Sequence, residues 1–165
     1  MVAVLPSTFR LPTDSITSGP DQAVWFSQLA EAAGRRRWHR TRQRRGGVHE
    51  LAAASRHGPA RIATGPDGAL WFTRRGGIGR ITVAGEVSHF PVPQAEHPSC
   101  IVAGPEGAVW FTTDTRVGRL TPSGKVTLWS LPGAEQLSAL IAVPGGGFWL
   151  ADRKTDMVRR FSPPK

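Results

Sequence analysis

Gly65-Pro66-Asp67-Gly68-Ala69-Leu70-Trp71-Phe72-Thr73 is a phrase this chain says more than once. It returns as Gly104 to Thr112 (GPEGAVWFT), and it stands earlier as Gly19 to Ser27 (GPDQAVWFS). A worn copy, Pro144 to Ala151 (PGGGFWLA), closes the series. The tryptophans Trp25, Trp71, Trp110 and Trp149 are spaced by 46, 39 and 39 residues. Strand-like words recurring at a period of about 40 residues indicate an array of small sheets.

The second copy shows the unit. Ile62-Ala63-Thr64 is a short apolar run ending at Gly65-Pro66-Asp67-Gly68. Proline presets φ and Asp-Gly tolerates positive φ, which suits a tight hairpin. Ala69 to Thr73 has the composition of a buried strand. Ile78 to Thr82 and Glu86 to Phe90 alternate in strand fashion before Pro91 and Pro93. Each repeat is therefore four strands joined by three turns.

The spacing predicts an all-β chain, a β-propeller of four-stranded antiparallel blades. Repeats fall at about 13–51, 59–93, 98–132 and 137–162 of a single domain. The last repeat runs out after its third strand, while residues 7–12 (STFRLP) read as a strand with no blade of its own. Pairing the two ends would cover open sheet edges and close a ring. The repeating tryptophans are read as packing residues between neighbouring blades.

The first repeat departs from the pattern. Phe26 to Val48 is 22 steps, against 15 for Phe72 to Val87 and for Phe111 to Val126. The excess coincides with the atypical basic segment 29–47, LAEAAGRRRWHRTRQRRGG, which lacks a strand pattern. A loop insertion, a degenerate blade and an out-of-frame stretch of a GC-rich gene all account for it.

Composition narrows the class. The formal charge is +9, but seven arginines lie between Arg35 and Arg45, and the rest of the chain carries only +2. The segment with Trp38 could follow a phosphate backbone and stack a base, yet nothing else supports nucleic-acid binding, and none is expected. The lone cysteine, Cys100, excludes an intrachain disulfide and reads as a small buried hydrophobe. Met1 to Leu5 has no basic n-region, and no stretch approaches the length of a membrane span. A cytoplasmic protein without a membrane partner is the expectation.

The words GPDGALWFT, IGRIT and GEVSHFPVP resemble those of the virginiamycin B lyase (streptogramin lyase) family, over nearly the whole chain except 29–47. The resemblance implies a cytoplasmic, monomeric, Mg²⁺-dependent antibiotic-resistance enzyme. Such enzymes linearise cyclic streptogramin B peptides by eliminating across the ester C–O bond. That chemistry requires a base near a Cα–H and a cation near the developing enolate and carboxylate. The family's propellers have seven blades, so self-association is expected if four do not close.

The family pattern places Glu-x-His before an innermost strand and Glu directly after the WFT-type strand. Before the innermost strands this chain has His57-Gly58-Pro59, Glu96-His97-Pro98 and Glu135-Gln136. By resemblance His97, Glu96 and His57 are the catalytic candidates, with Glu96 and His97 adjacent rather than separated. After the WFT-type strand stand Gln28, Arg74, Thr113 and Asp152. Asp152 is the carboxylate among them, and with Glu96 it is the candidate metal ligand. A reading of another class stays open: a non-catalytic propeller whose face binds a peptide, a glycan or a partner protein.

Overall fold

A computed structural model describes residues 13–30, 35–41, 48–55, 61–93 and 97–164. Among the described residues fifteen strands form four antiparallel sheets. The first sheet is β1 (Thr13–Ser18), β2 (Val24–Ala30), β3 (Arg35–Thr41) and β4 (Val48–Ser55), in that order. The second is β5 (Ile62–Thr64), β6 (Leu70–Arg74), β7 (Gly77–Ile81) and β8 (Val87–Pro91). The third is β9 (Cys100–Ala103), β10 (Val109–Thr112), β11 (Arg116–Leu120) and β12 (Val126–Ser130). The fourth holds three strands, β13 (Leu137–Ala142), β14 (Phe148–Asp152) and β15 (Met157–Phe161). Each sheet is one blade, its strands meeting in sequence order.

The structure corrects one reading of the basic segment. Arg35–Thr41 is a strand, paired with β2 from Val24↔Thr41 to Ala30↔Arg35. Sheet pairing joins backbone groups, so a run of arginines does not prevent it. The extra residues lengthen the β2–β3 hairpin, where both strands run seven residues against four or five in the corresponding strands of the second and third blades. The fourth strand then begins at Val48, as the repeat requires, and continues past Leu51 to Ser55.

The repeated words now have physical reasons. The backbone of Gly65 lies against the Trp71 ring so closely that a Cβ there would sit 2.2 Å from Cδ1. Gly104 meets Trp110 at 2.1 Å, and Gly19 meets Trp25 at 2.3 Å. Inside the turn, Asp67 accepts from Trp71 Nε1 at 2.8 Å, and Asp21 accepts from Trp25 Nε1 at 3.1 Å. Asp67 also pairs with Arg80 at 2.6 Å. Burial works to raise its pKa, but the hydrogen bonds from Trp71 and Arg80 prevail and hold it below the usual value. The glycine of IGRI serves the next residue of the phrase. A Cβ at Gly79 would fall 2.1 Å from Phe72 Cζ, and one at Gly118 would fall 2.2 Å from Phe111 Cζ.

These residues build the joints between blades. Trp25 packs with Ile62, Leu70, Phe72 and Ile81 of the second blade. Trp71 packs with Ile101, Val109, Phe111 and Leu120 of the third. Trp110 packs with Leu140, Phe148, Leu150 and Phe161 of the fourth. The innermost strands adjoin in the same sequence, β1 beside β5, β5 beside β9 and β9 beside β13. Among the described residues no comparable contact leads from β13 back to β1, so the blades form an open arc. The closing strand expected at 7–12 lies outside the described residues.

Candidate functional site

Innermost strands start, and second strands end, at the same mouth of the arc, because the two are antiparallel. The pairs Cys100↔Thr112 and Leu137↔Asp152 mark that end in the third and fourth blades. In the second blade Arg61 and Thr73 mark it, the Thr73 amide donating to the Arg61 carbonyl at 2.9 Å. Residues that the sequence scatters across three repeats therefore converge there. His97 lies at the mouth, exposed, two residues before Ser99. Glu96 and His57 lie outside the described residues.

Asp152 is buried and fully engaged. Its Oδ2 accepts from the Glu135 amide at 3.1 Å, and its Oδ1 from the Gln136 amide at 3.1 Å and the Thr155 amide at 3.4 Å. Arg159 Nε completes the set at 3.1 Å from Oδ2. Burial by itself would raise this carboxyl; the Gln136, Glu135 and Thr155 hydrogen bonds outweigh it and hold the pKa well below the usual carboxylate range. The arrangement ties the connector from the third blade to the strands of the fourth.

A Mg²⁺ ion takes oxygen ligands in near-octahedral geometry and retains several waters. Asp152 does not fit that role, since a cation would have to displace amide donors and a guanidinium from both its oxygens. Among the described residues no three His, Cys, Asp or Glu side chains stand together as a metal-binding group. The other slots after the second strands hold Arg74, half-buried, and Thr113, buried.

Two contacts at the mouth were not foreseen from the repeats. Ser99 Oγ lies 2.8 Å from Thr112 Oγ1 and donates to the Leu137 carbonyl at 2.8 Å, crossing between blades. The Leu137 amide donates to the Asp114 carbonyl at 2.8 Å. Arg159 is the second. It occupies the place of Gly79 and Gly118 in the repeat, and that replacement was the sequence signal for a new role. Cys100 is half-buried beside this staple, and burial raises its thiol pKa.

The sequence pattern of the virginiamycin B lyase family matches residues 6–164, almost the whole chain. The chain belongs to that family. A virginiamycin B lyase of Bordetella pertussis is 57% identical over 37 residues, which are 21% of this chain and 12% of that protein. An inactive histidine-to-alanine variant of the Staphylococcus aureus virginiamycin B lyase, solved with quinupristin, superposes with a TM-score of 0.80 at 27% identity. The match covers 96% of this chain and 57% of that one. A gluconolactonase of Xanthomonas campestris reaches a TM-score of 0.70 at 16% identity, covering 90% of this chain and 57% of its own; it shares the fold alone. This virginiamycin B lyase family member thus spans little more than half the length of the solved lyase.

Proposed function

We propose that this protein acts on cyclic depsipeptides of the streptogramin B class as a carbon–oxygen lyase, with the reaction at the mouth of the arc. The observation that carries this reading is the family pattern matching residues 6–164. The quinupristin held by the Staphylococcus aureus relative supports the substrate class.

In the proposed reaction a base removes the Cα proton beside a carbonyl. The electron pair forms a carbon–carbon double bond, the C–O bond breaks, and the ester oxygen leaves as a carboxylate, so the opened product keeps the mass of the ring. His97 is the proposed base, because it is exposed at this mouth and an imidazole is the side chain most often used as a general base. Glu96 beside it, and His57 before the second blade, are proposed as its companions. Dependence on Mg²⁺ belongs to the same reading by family resemblance, without Asp152 as a ligand.

The closure of Asp152 favours a second reading, a propeller face that holds the cyclic peptide without opening it. Incubating the purified protein with a streptogramin B and Mg²⁺, then with a chelator, separates the two. A ring-opened product of unchanged mass, lost in His97→Ala, supports the lyase. Saturable binding without any opened product rejects the lyase and leaves the binding reading. Neither binding nor turnover rejects both.

A further inference from the structure

Three half-buried arginines of the blades are held by carboxylates. The Arg80 side chain, 26% exposed, pairs with Asp67; that of Arg119, 25% exposed, with Glu106; and that of Arg159, 18% exposed, with Asp152. Arg74, half-buried at the mouth of the second blade, departs from this pattern. Its Nε is buried without a hydrogen-bond partner, and among the described residues no carboxylate pairs with it. A guanidinium N–H removed from water without an acceptor is costly, and such a group in a folded protein calls for an explanation. An acceptor brought by a ligand removes the cost. Carboxylate and phosphate match the guanidinium fork through two parallel N–H···O bonds.

The surroundings add positive charge and little to neutralise it. Arg75 follows, exposed, and Arg61 immediately precedes β5 at the same end of the blade. In the first blade the pair Gln28↔Arg37 corresponds to Arg74↔Gly77 of the second. The pairs Leu29↔Arg36 and Ala30↔Arg35 carry that hairpin about 7 Å further, past the rim. Six arginines thus stand at this end of the first two blades, where Asp14 is the acid among the described residues. The fourth blade is balanced by contrast: Lys154 pairs with Glu135, and Arg159 with Asp152. His89 registers the field of Arg74. It lies in the row Phe72, Gly79, His89, edge-on to Phe72 with 6.5 Å between ring centroids. Burial lowers its pKa, and the Arg74 charge lowers it further.

We propose that Arg74 is the centre of an anion-binding site on the rim of the first two blades, taking a carboxylate or phosphate group of a ligand at the mouth. The flanking arginines draw such a ligand in, and Arg74 supplies the fixed contact. The carboxylate released by the proposed ring opening is one such group. That assignment alone rests on the lyase reading; the site itself does not.

The test follows the Arg74 Nε–H resonance of the full chain by NMR, as sodium phosphate or sodium acetate replaces sodium chloride at constant ionic strength. A saturable shift at Arg74 is expected, with Arg80 unmoved because Asp67 already holds its Nε. A shift with phosphate alone or with acetate alone supports the site and identifies the group it takes. Arg74→Lys keeps the charge without the fork, and should weaken binding, read at the His89 imidazole, about tenfold. Arg74→Gln should abolish it, and circular dichroism confirms that both variants keep their strands. The absence of a saturable shift with either anion overturns the proposal. So do equal shifts at Arg74 and Arg80, which mark screening alone, and so does binding that survives in Arg74→Gln. None of these readings depends on turnover, so a chain that fails to open the ring can still show the site.

Discussion

The second and third blades and the fourth are copies of one unit that solve the same packing problem in different ways. In the former, glycine is placed wherever an aromatic ring must lie flat: Gly65 and Gly104 under Trp71 and Trp110, Gly79 and Gly118 under Phe72 and Phe111. In the fourth blade Leu150 replaces the phenylalanine and pairs across the ladder with Arg159. Val143 stands where the first glycine of the phrase would be. Once the ring is gone the glycine is no longer required, and the arginine that takes its place reaches Asp152. The second glycine and its ring have changed as a pair, whereas the first has not, since Val143 replaces it although Trp149 is retained.

The third blade shows a milder drift. Glu106 replaces the turn aspartate and pairs with Arg119 instead of the indole. Trp110 Nε1 is left buried without a hydrogen-bond partner. The ring stays in place because its apolar contacts hold it: Trp129 stacks at 5.5 Å and Phe148 lies at 4.6 Å.

The largest expected effect contrasts equivalent tryptophans. Trp71→Ala should cost about 3–5 kcal/mol by emptying a buried joint, whereas Trp149→Ala, measured at low protein concentration, should cost about 1 kcal/mol or less. Urea unfolding of both variants checks this, and equal losses would break the distinction between covered and uncovered faces.

Next comes the pairing of glycine with ring. Gly118→Ala should destabilise by about 1–3 kcal/mol through overpacking against Phe111. In a Phe111→Leu background the same substitution should cost less, and a double-mutant cycle measures the coupling. Additive costs would show that the glycine answers to something other than the ring.

The smallest effect is one of pH. The Asp152 carboxyl titrates lower in the folded chain than in the unfolded one. Its stabilisation is therefore fully present above the unfolded pKa of about 3.9 and fades as pH falls below it. Asp152→Asn should flatten the acid limb of the stability curve while leaving its shape near neutrality unchanged. An unaltered acid limb would show that the carboxylate staple is not what the fourth blade depends on.

Much of the fold was legible. The spacing of Trp25, Trp71, Trp110 and Trp149 fixed the number of blades, and the turns in each unit fixed the strand order. The third strand of the first blade escaped, because Arg35 to Thr41 carries no alternation and sheet pairing depends on backbone groups that composition does not report. The candidate site was harder to read. The slots around the mouth could be counted from the repeat, and Asp152 was the carboxylate in one of them. Nothing in one dimension revealed that amides from Glu135 and Gln136 and the guanidinium of Arg159 occupy it, since those partners come from a connector and another strand.

The sequence alone determined the unit: a phrase repeated four times, with glycines set against rings, dictates a blade and the way blades stack. Tertiary structure alone decided which copies of that phrase are covered. Burial belongs to neighbours in space, so an identical tryptophan is core in three blades and exposed surface in the fourth, where the arc ends.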